Sequence, residues 1–250
     1  MLAARPFCGG WLRIMTGSKE GYERDIYSTG EYKQHFTPDD RRNPFWKIYQ
    51  RKKQDTIHII HSLGLDAPPG RILDVGGGVG RLSLQLAQSE SGIIVLSDIN
   101  TDMLTLAAKS KDSAGIRGVT ADAQYLPFQS SSFDVIAALD LFCHLENPEL
   151  ALAEFHRVLI NGGTLILDST NSNPMWTFFY PRYLGMNPSN WLKIIRLGGI
   201  LPGWEKIVRH YSKKRFIHFI HNAGFQVLKT VNYGPLACPK WHLAISKKVC

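Results

Sequence analysis

Between Asp74 and Arg81 the chain reads Asp-Val-Gly-Gly-Gly-Val-Gly-Arg, with Gly76, Gly78 and Gly80 at alternate positions. A glycine-rich turn lets backbone approach a ligand closely, and a helix opening just after it presents unpaired N–H groups to polar or anionic atoms. Asp98 closes the apolar run Ile93-Ile-Val-Leu-Ser, and a carboxylate at such a strand end can accept both hydroxyls of a ribose. A third acid, Asp122, stands in Ala121-Asp-Ala123. The glycine spacing weighs against a dinucleotide. A GxGxxG count from Gly76 would need glycine where Arg81 stands, and a count from Gly78 where Ser83 stands.

These residues need elements to hold them. Arg71–Val75, Gly92–Ser97, Ile116–Thr120, Phe133–Leu139 and Thr164–Leu167 read as strands, and Val79–Ala87, Thr101–Lys109 and Pro148–Leu159 as helices. Such alternation predicts βαβ units and a parallel sheet covered by helices. Leu159-Ile-Asn-Gly-Gly163 reads as a helix stop before the fifth strand. A helix over Ser212–Asn222 and strands over Phe225–Val231 and Trp241–Ser246 follow, and that last pair predicts an antiparallel arrangement at the sheet edge. Upstream, Phe45, Ile48, Tyr49, Ile57 and Ile60 fall near one face of a helix expected from Pro44 to Leu63. Asp66-Ala-Pro-Pro-Gly70 then breaks it. The expected organisation is an N-terminal extension and helix over 1–67 and a main domain over 68–250, with 171–209 inserted as a lid.

The ordered series of motifs resembles the class I S-adenosylmethionine-dependent methyltransferases, in particular the ubiquinone/menaquinone-biosynthesis type (methyltransferase type 11). GxGxG preceded by Asp74 resembles their first motif. Asp122-Ala123, Leu126-Pro-Phe128 and Phe133-Asp-Val135 resemble the family text D-A-x-x-L-P-F…F-D-x-V. Asp140-Leu-Phe-Cys-His-Leu-Glu-Asn-Pro148 and Glu154 to Gly163 resemble its continuation, with Cys143 for a histidine and Ile160-Asn161 for Lys-Pro. The resemblance covers residues 70–170 and more loosely 210–232, where Asn222-Ala-Gly-Phe225 matches the last helix-to-strand step. It implies an α/β, Rossmann-like, seven-stranded and mostly parallel sheet with helices on both faces and an antiparallel strand at the edge. It also implies S-adenosylmethionine as cofactor, with Asp122 holding the adenine amino group and the Ala123 amide meeting the ring. The expected cofactor-binding set is Asp74, Gly76, Gly78, Gly80, Asp98, Ile99, Asp122, Ala123 and Asp140. A sulfonium methyl group is intrinsically electrophilic, so no metal and no covalent enzyme intermediate is expected. In-line positioning can lower the barrier by about 7–11 kcal/mol. A hydroxyl acceptor would add a need for a general base. His144, just past the fourth strand, is the first candidate, followed by His210 and Tyr211.

Composition narrows the rest. The 250 residues, 44% hydrophobic and 20% charged, suit one ordinary globular α/β chain. The four cysteines, Cys8, Cys143, Cys238 and Cys250, make no metal or iron–sulfur pattern. No apolar run approaches the roughly 18 residues of a membrane-spanning helix. Gly9, Gly10 and Arg13 break the first apolar stretch, so a leader without targeting function, or a start at Met15, is expected in a cytoplasmic protein. The formal charge of +8 is uneven: residues 71–190 carry −5 and residues 191–250 carry +10. Trp176, Phe178, Phe179, Tyr180, Tyr183, Trp191 and Trp204 crowd the expected lid beside Lys193, Arg196, Lys206 and Arg209. Aromatics next to cations suit a small, amphipathic or anionic acceptor methylated on oxygen or carbon, with transient contact to an anionic membrane. Two rival readings share features with this one. An NAD-dependent oxidoreductase would share Asp98 but needs the missing GxGxxG. A nucleic-acid methyltransferase would explain the charge, but Asp140-Leu-Phe-Cys143 stands where amino-methylating enzymes carry an Asn/Asp-Pro-Pro-Tyr tetrad. Nucleic acid is therefore not an expected partner.

Overall fold

The computed structural model describes residues 46–64, 70–89, 92–173, 209–234 and 239–249. The extension before residue 46 and the aromatic and basic residues expected in the lid from Trp176 to Lys206 lie outside them. The elements run in the order α1 (Trp46–Ser62), β1 (Arg71–Val75), α2 (Ser83–Gln88), β2 (Ile93–Asp98), α3 (Thr101–Ala108), β3 (Ile116–Thr120) and β4 (Phe133–Ala138). A 3-10 turn (Phe142–His144), α4 (Pro148–Val158), β5 (Leu159–Thr170), α5 (Lys213–Asn222), β6 (Phe225–Tyr233) and β7 (Trp241–Lys248) complete the series.

The strands form one sheet in the order β3-β2-β1-β4-β5-β7-β6. β3, β2, β1, β4 and β5 pair in parallel. β7 pairs antiparallel with both β5 and β6, so the antiparallel pair closes one edge, with β6 outermost. Strand order reverses at β1, which sends β2–β3 one way and β4–β5 the other. The crevice opened there, past the carboxyl ends of the strands, is where open α/β sheets bind ligands.

Side-chain alternation divides the core into two layers. Leu73, Ile136, Leu165 and Leu167 face a cluster with Leu152 and Phe155 of α4 and Phe216 and Ile220 of α5. Ile72, Val135, Ala137 and Ile166 face a second cluster with Ile57 and Ile60 of α1 and Leu86 of α2. Helices on both faces leave the central strands apolar on both sides, which is why they read as continuous runs rather than as alternating ones.

Boundaries differ from expectation at several places. No loop separates α4 from β5: Leu159 pairs with Phe133 directly, and Val135 then pairs with Thr164, so Asn161-Gly-Gly163 forms an irregularity inside the strand. β5 also continues past Leu167 to Thr170, because Asp168 through Thr170 find partners in β7. The glycine loop occupies the first turn of the expected helix, and α2 begins only at Ser83.

Candidate active site

β1 ends at Val75 and the chain turns through Gly76, Gly78 and Gly80, whose φ values are 66°, 57° and 75°. An L side chain in this left-handed region costs roughly 1–2 kcal/mol. The Gly76 and Gly77 N–H groups donate to the Ser97 carbonyl of β2 at 2.8 and 3.2 Å, which ties the loop to the neighbouring strand. Asp74 lies buried beneath the loop, where its carboxylate accepts the Ser83 hydroxyl at 2.6 Å. A Cβ on Gly77 would stand 2.4 Å from Leu96 Cδ1 and 2.6 Å from Asp74 Oδ2. Asp74 is thus a floor for the loop rather than a wall of the crevice. Burial pushes its carboxyl up to about 6, against the pull of the Ser83 hydrogen bond. Above the loop the situation is reversed. A Cβ on Gly78 would meet nothing within 4 Å.

Asp98, at the end of β2, joins the loop to the next strand exit. Its Oδ2 accepts the Gly78 N–H and its Oδ1 the Asn100 N–H, each at 2.9 Å. The N-cap of α3 is Asn100, which accepts the Asp102 N–H at 2.9 Å, so Asp98 is not spent on capping. Burial raises the Asp98 carboxyl, with the two backbone donors opposing. A carboxylate has about four lone-pair sites, so Asp98 retains acceptor capacity. Ile99 beside it is 65% exposed. The Ala121 N–H donates to the Asp98 carbonyl at 3.0 Å and sets the exit of β3 alongside. There Asp122 accepts the Gln124 N–H at 2.9 Å and Ala123 is buried.

At the end of β4 the chain passes through Asp140 with φ 57°. Its amide donates to Asp168 Oδ1 of β5 at 2.6 Å, and its Oδ1 accepts the Lys52 ammonium at 2.6 Å. Lys52 comes from α1, is 1% exposed, and is also paired with Asp168. Its Nζ lies 5.3 Å from the Tyr49 ring centre and 5.1 Å from that of Trp241. Burial works against the Lys52 ammonium, but the charges of Asp140 and then Asp168 outweigh it and raise its pKa. Burial pushes the Asp168 carboxyl up, with Lys52 pulling it back. The next residue, Leu141, overhangs the glycine loop, 2.8 Å from where a Cβ on Gly76 would stand.

Beyond this cluster, residues 209–211 stitch the end of β5 to the 3-10 turn. Arg209 N–H donates to the Cys143 carbonyl at 2.7 Å, and its guanidinium donates to the carbonyls of Leu145 and Glu146. Tyr211 N–H reaches the Thr170 carbonyl at 3.0 Å. His210 Nδ1 lies 3.1 Å from the Asn171 carbonyl. Burial first, then the charge of Lys240 and lastly that of His144, lowers His210 to about 4, against its hydrogen bond with Asn171. His144 is half-buried in the same region. Tyr211 instead packs its ring into the core, 5.3 Å from that of Phe142, which removes it from the candidate bases. Cys143 is a buried thiol, raised by burial. Among the described residues, no group of three or more His, Cys, Asp or Glu is arranged to hold a metal ion. No helix among them is long and apolar enough to cross a membrane.

Lys52, Asp168 and the buried Lys240 were not anticipated as site residues. Two signals were present. Lys52 falls on the apolar stripe of α1 between Tyr49 and Thr56, and Asp168 ends the apolar run of β5.

The chain is similar to known methyltransferases. The family described as "Methyltransferase domain" matches residues 73–167. UbiE, a ubiquinone/menaquinone biosynthesis C-methyltransferase from Cellvibrio japonicus, is 39% identical over 103 residues, 39% of this chain and 41% of that one. The UbiE of Rhizobium meliloti is 28% identical over 213 residues, 73% of this chain and 80% of that one. For the first curated relatives the matched stretch spans only about two fifths of their length. Among solved structures, magnesium protoporphyrin IX methyltransferase from Synechocystis PCC 6803 with bound SAH has a TM-score of 0.65 at 18% identity, covering 92% of this chain and 100% of that one. The [4+2]-cyclase SpnF has a TM-score of 0.56 at 17% identity, covering 78% and 82%. The fold is therefore common to different chemistries, and the reaction has to be argued from the site.

Proposed function

We propose that the chain, whose residues 73–167 match the methyltransferase-domain family, is a class I S-adenosylmethionine-dependent methyltransferase that methylates a small organic acceptor on carbon or oxygen. One observation carries the reading. Asp122, Asp98, the glycine loop and Asp140 stand at the carboxyl ends of β3, β2, β1 and β4, which are consecutive in the sheet. A cofactor with adenine, ribose and amino-acid parts in a row fits that order.

The residues present fit the cofactor. Open space above Gly78 admits it against the loop, and the remaining lone pairs of Asp98 suit a ribose diol. Asp122 and Ala123, with Ile99 as an apolar flank, would take the adenine. Asp140 would then be the residue nearest the amino-acid end. When bound, S-adenosylmethionine supplies an electrophilic methyl group that needs no activation by the protein. The task left to the chain is alignment of the acceptor with that methyl group, worth up to about 7–11 kcal/mol. The acceptor side is the β4–β5 end, where His144 and His210 stand. His210, held near 4, stays neutral at pH 7 and is a weak base, so His144 is assigned the removal of a hydroxyl proton where the acceptor has one.

The curated relatives are named for C-methylation in quinone biosynthesis. A quinone-like precursor, with a ring and an apolar tail, agrees with the aromatic and basic C-terminal third of the chain. Lys213, Lys214 and Arg215 at the start of α5 would meet an anionic lipid surface, each contributing about 1 kcal/mol near that surface. Calorimetry with S-adenosylmethionine, its demethylated product and NAD tests the premise: binding of the first two and not the third is expected, and tight NAD binding overturns it. Labelled S-adenosylmethionine with fractionated cell extract identifies the acceptor. Co-sedimentation with anionic liposomes, strong at low salt and lost at high salt, tests the membrane contact, and no binding at low salt refutes it.

A further inference from the structure

A fully buried lysine at the ligand-binding edge of a sheet needs a reason. Desolvating an ammonium is costly, and Lys52 serves neither the hydrophobic layer nor the helix that carries it. Its two carboxylate partners lie 88 and 116 residues away in sequence. One of them, Asp168, is buried and holds two things at once, the Lys52 ammonium and the Asp140 amide. The other, Asp140, keeps 36% of its side chain exposed. Lys52 and Asp168 therefore grip Asp140 through its carboxylate and its backbone while part of its side chain stays exposed at the carboxyl end of β4. The left-handed φ of Asp140, which a non-glycine residue adopts only at a cost, is maintained by this grip.

We propose that Lys52 is a positioning residue: it locks Asp140 as the anionic acceptor for the cationic amino-acid end of the cofactor, and so makes α1 a working wall of the binding site. The inference rests on the methyltransferase reading and deepens it. Strand order puts the amino-acid end at β4, where Asp140 emerges. Two carboxylates against one ammonium leave the cluster one negative charge in excess, which matches a cationic ligand group. α1 has other anchors that hold it in place when Lys52 is changed. The Tyr233 hydroxyl donates to Asp55 at 2.7 Å, and Tyr49 meets Trp241 edge-on with ring centres 5.5 Å apart.

The test compares two ligands on the purified full chain. S-adenosylhomocysteine has the amino-acid end, and 5′-methylthioadenosine has the same adenosine and thioether without it. Calorimetry on Lys52→Met should show S-adenosylhomocysteine bound roughly 10- to 150-fold more weakly, as expected for losing a charged hydrogen-bond partner, with methylthioadenosine within about twofold of wild type. In an Asp140→Asn background, Lys52→Met should have no further effect, since both act through one carboxylate. Equal loss of both ligands, no loss of either, or a full additional loss in the Asp140→Asn background each overturns the proposal. If Lys52→Met does not fold, hydrogen exchange on the wild-type protein decides. S-adenosylhomocysteine should slow exchange of the α1 amides around Lys52 and methylthioadenosine should not, and identical protection by both refutes the coupling. Wild-type protein that binds neither ligand would instead overturn the methyltransferase reading itself.

Discussion

Adjacent glycines in the loop are expected to fail in opposite ways when each is replaced by alanine. At Gly78 the new Cβ points into space where no protein atom lies within 4 Å. The folded state then pays only for the left-handed φ of 57°, roughly 1–2 kcal/mol, or a fall of about 2–8 °C in melting temperature for a chain of this size. The same methyl group stands where the cofactor is expected to pass. Overpacking a tight contact costs about 1–3 kcal/mol, a weakening of some 5- to 150-fold in affinity at 1.4 kcal/mol per decade. At Gly77 the Cβ would lie 2.4 Å from Leu96 Cδ1 and 2.6 Å from Asp74 Oδ2, so Gly77→Ala strikes the core and the buried floor of the loop. It should lower stability without the selective loss of binding. Thermal unfolding and calorimetry with S-adenosylhomocysteine measure both quantities on both variants. Gly78→Ala with wild-type affinity would show that the space above the loop is not the ligand path. Gly77→Ala with wild-type stability would show that the packing beneath it is looser than the distances say.

Asp98→Ala removes the acceptor of the Gly78 and Asn100 N–H groups and should weaken S-adenosylhomocysteine binding about 10- to 150-fold in a folded protein; unchanged affinity refutes its ribose role. Asp74 has a folded pKa of about 6 against an ordinary 3.8. Between those values the unfolded chain has released a proton that the native state keeps, so this group makes stability fall as pH rises from about 4 to 6, by roughly 2–3 kcal/mol. Asp74→Asn should flatten that fall in urea unfolding at pH 4.5 and 7, and an unchanged slope refutes the assignment. With a hydroxyl acceptor, His144→Gln should lower kcat by about 100-fold or more without changing S-adenosylhomocysteine affinity, and a kcat within a few fold of wild type removes His144 from the chemistry.

Most of the proposed cofactor half of the site is readable in the sequence because its determinants are local. A glycine loop, a strand-ending acid and a short turn each occupy a few consecutive residues, and each lies where one strand runs out. The parallel order follows from the helices between the strands. The points missed locally were missed for equally physical reasons. The glycine loop delays α2 to Ser83 because Gly76, Gly78 and Gly80 hold left-handed φ values that no helix can include. Leu159 enters β5 without a loop because β4 offers Phe133 as an immediate partner, a tertiary contact that Asn161-Gly-Gly163 does not announce.

The cluster past the ends of β4 and β5 is different in kind. Lys52, Asp140, Asp168, His210 and Lys240 come from five separate stretches of chain, gathered at one end of the sheet by the strand order β4-β5-β7 and by α1 packed against it. No window of sequence contains two of the interactions that define the cluster. What the sequence does contain is a conflict: a lysine set on an apolar helical stripe, and an aspartate closing an apolar strand, each against the local pattern. Sequences that fold well are consistent across levels, and violations concentrate where function requires them. Two such violations of opposite charge meet where the fold packs one element against the other. At α1 and β5 those two residues are Lys52 and Asp168, and Asp140, two residues beyond the strand that neighbours β5, completes the cluster by accepting from the same ammonium.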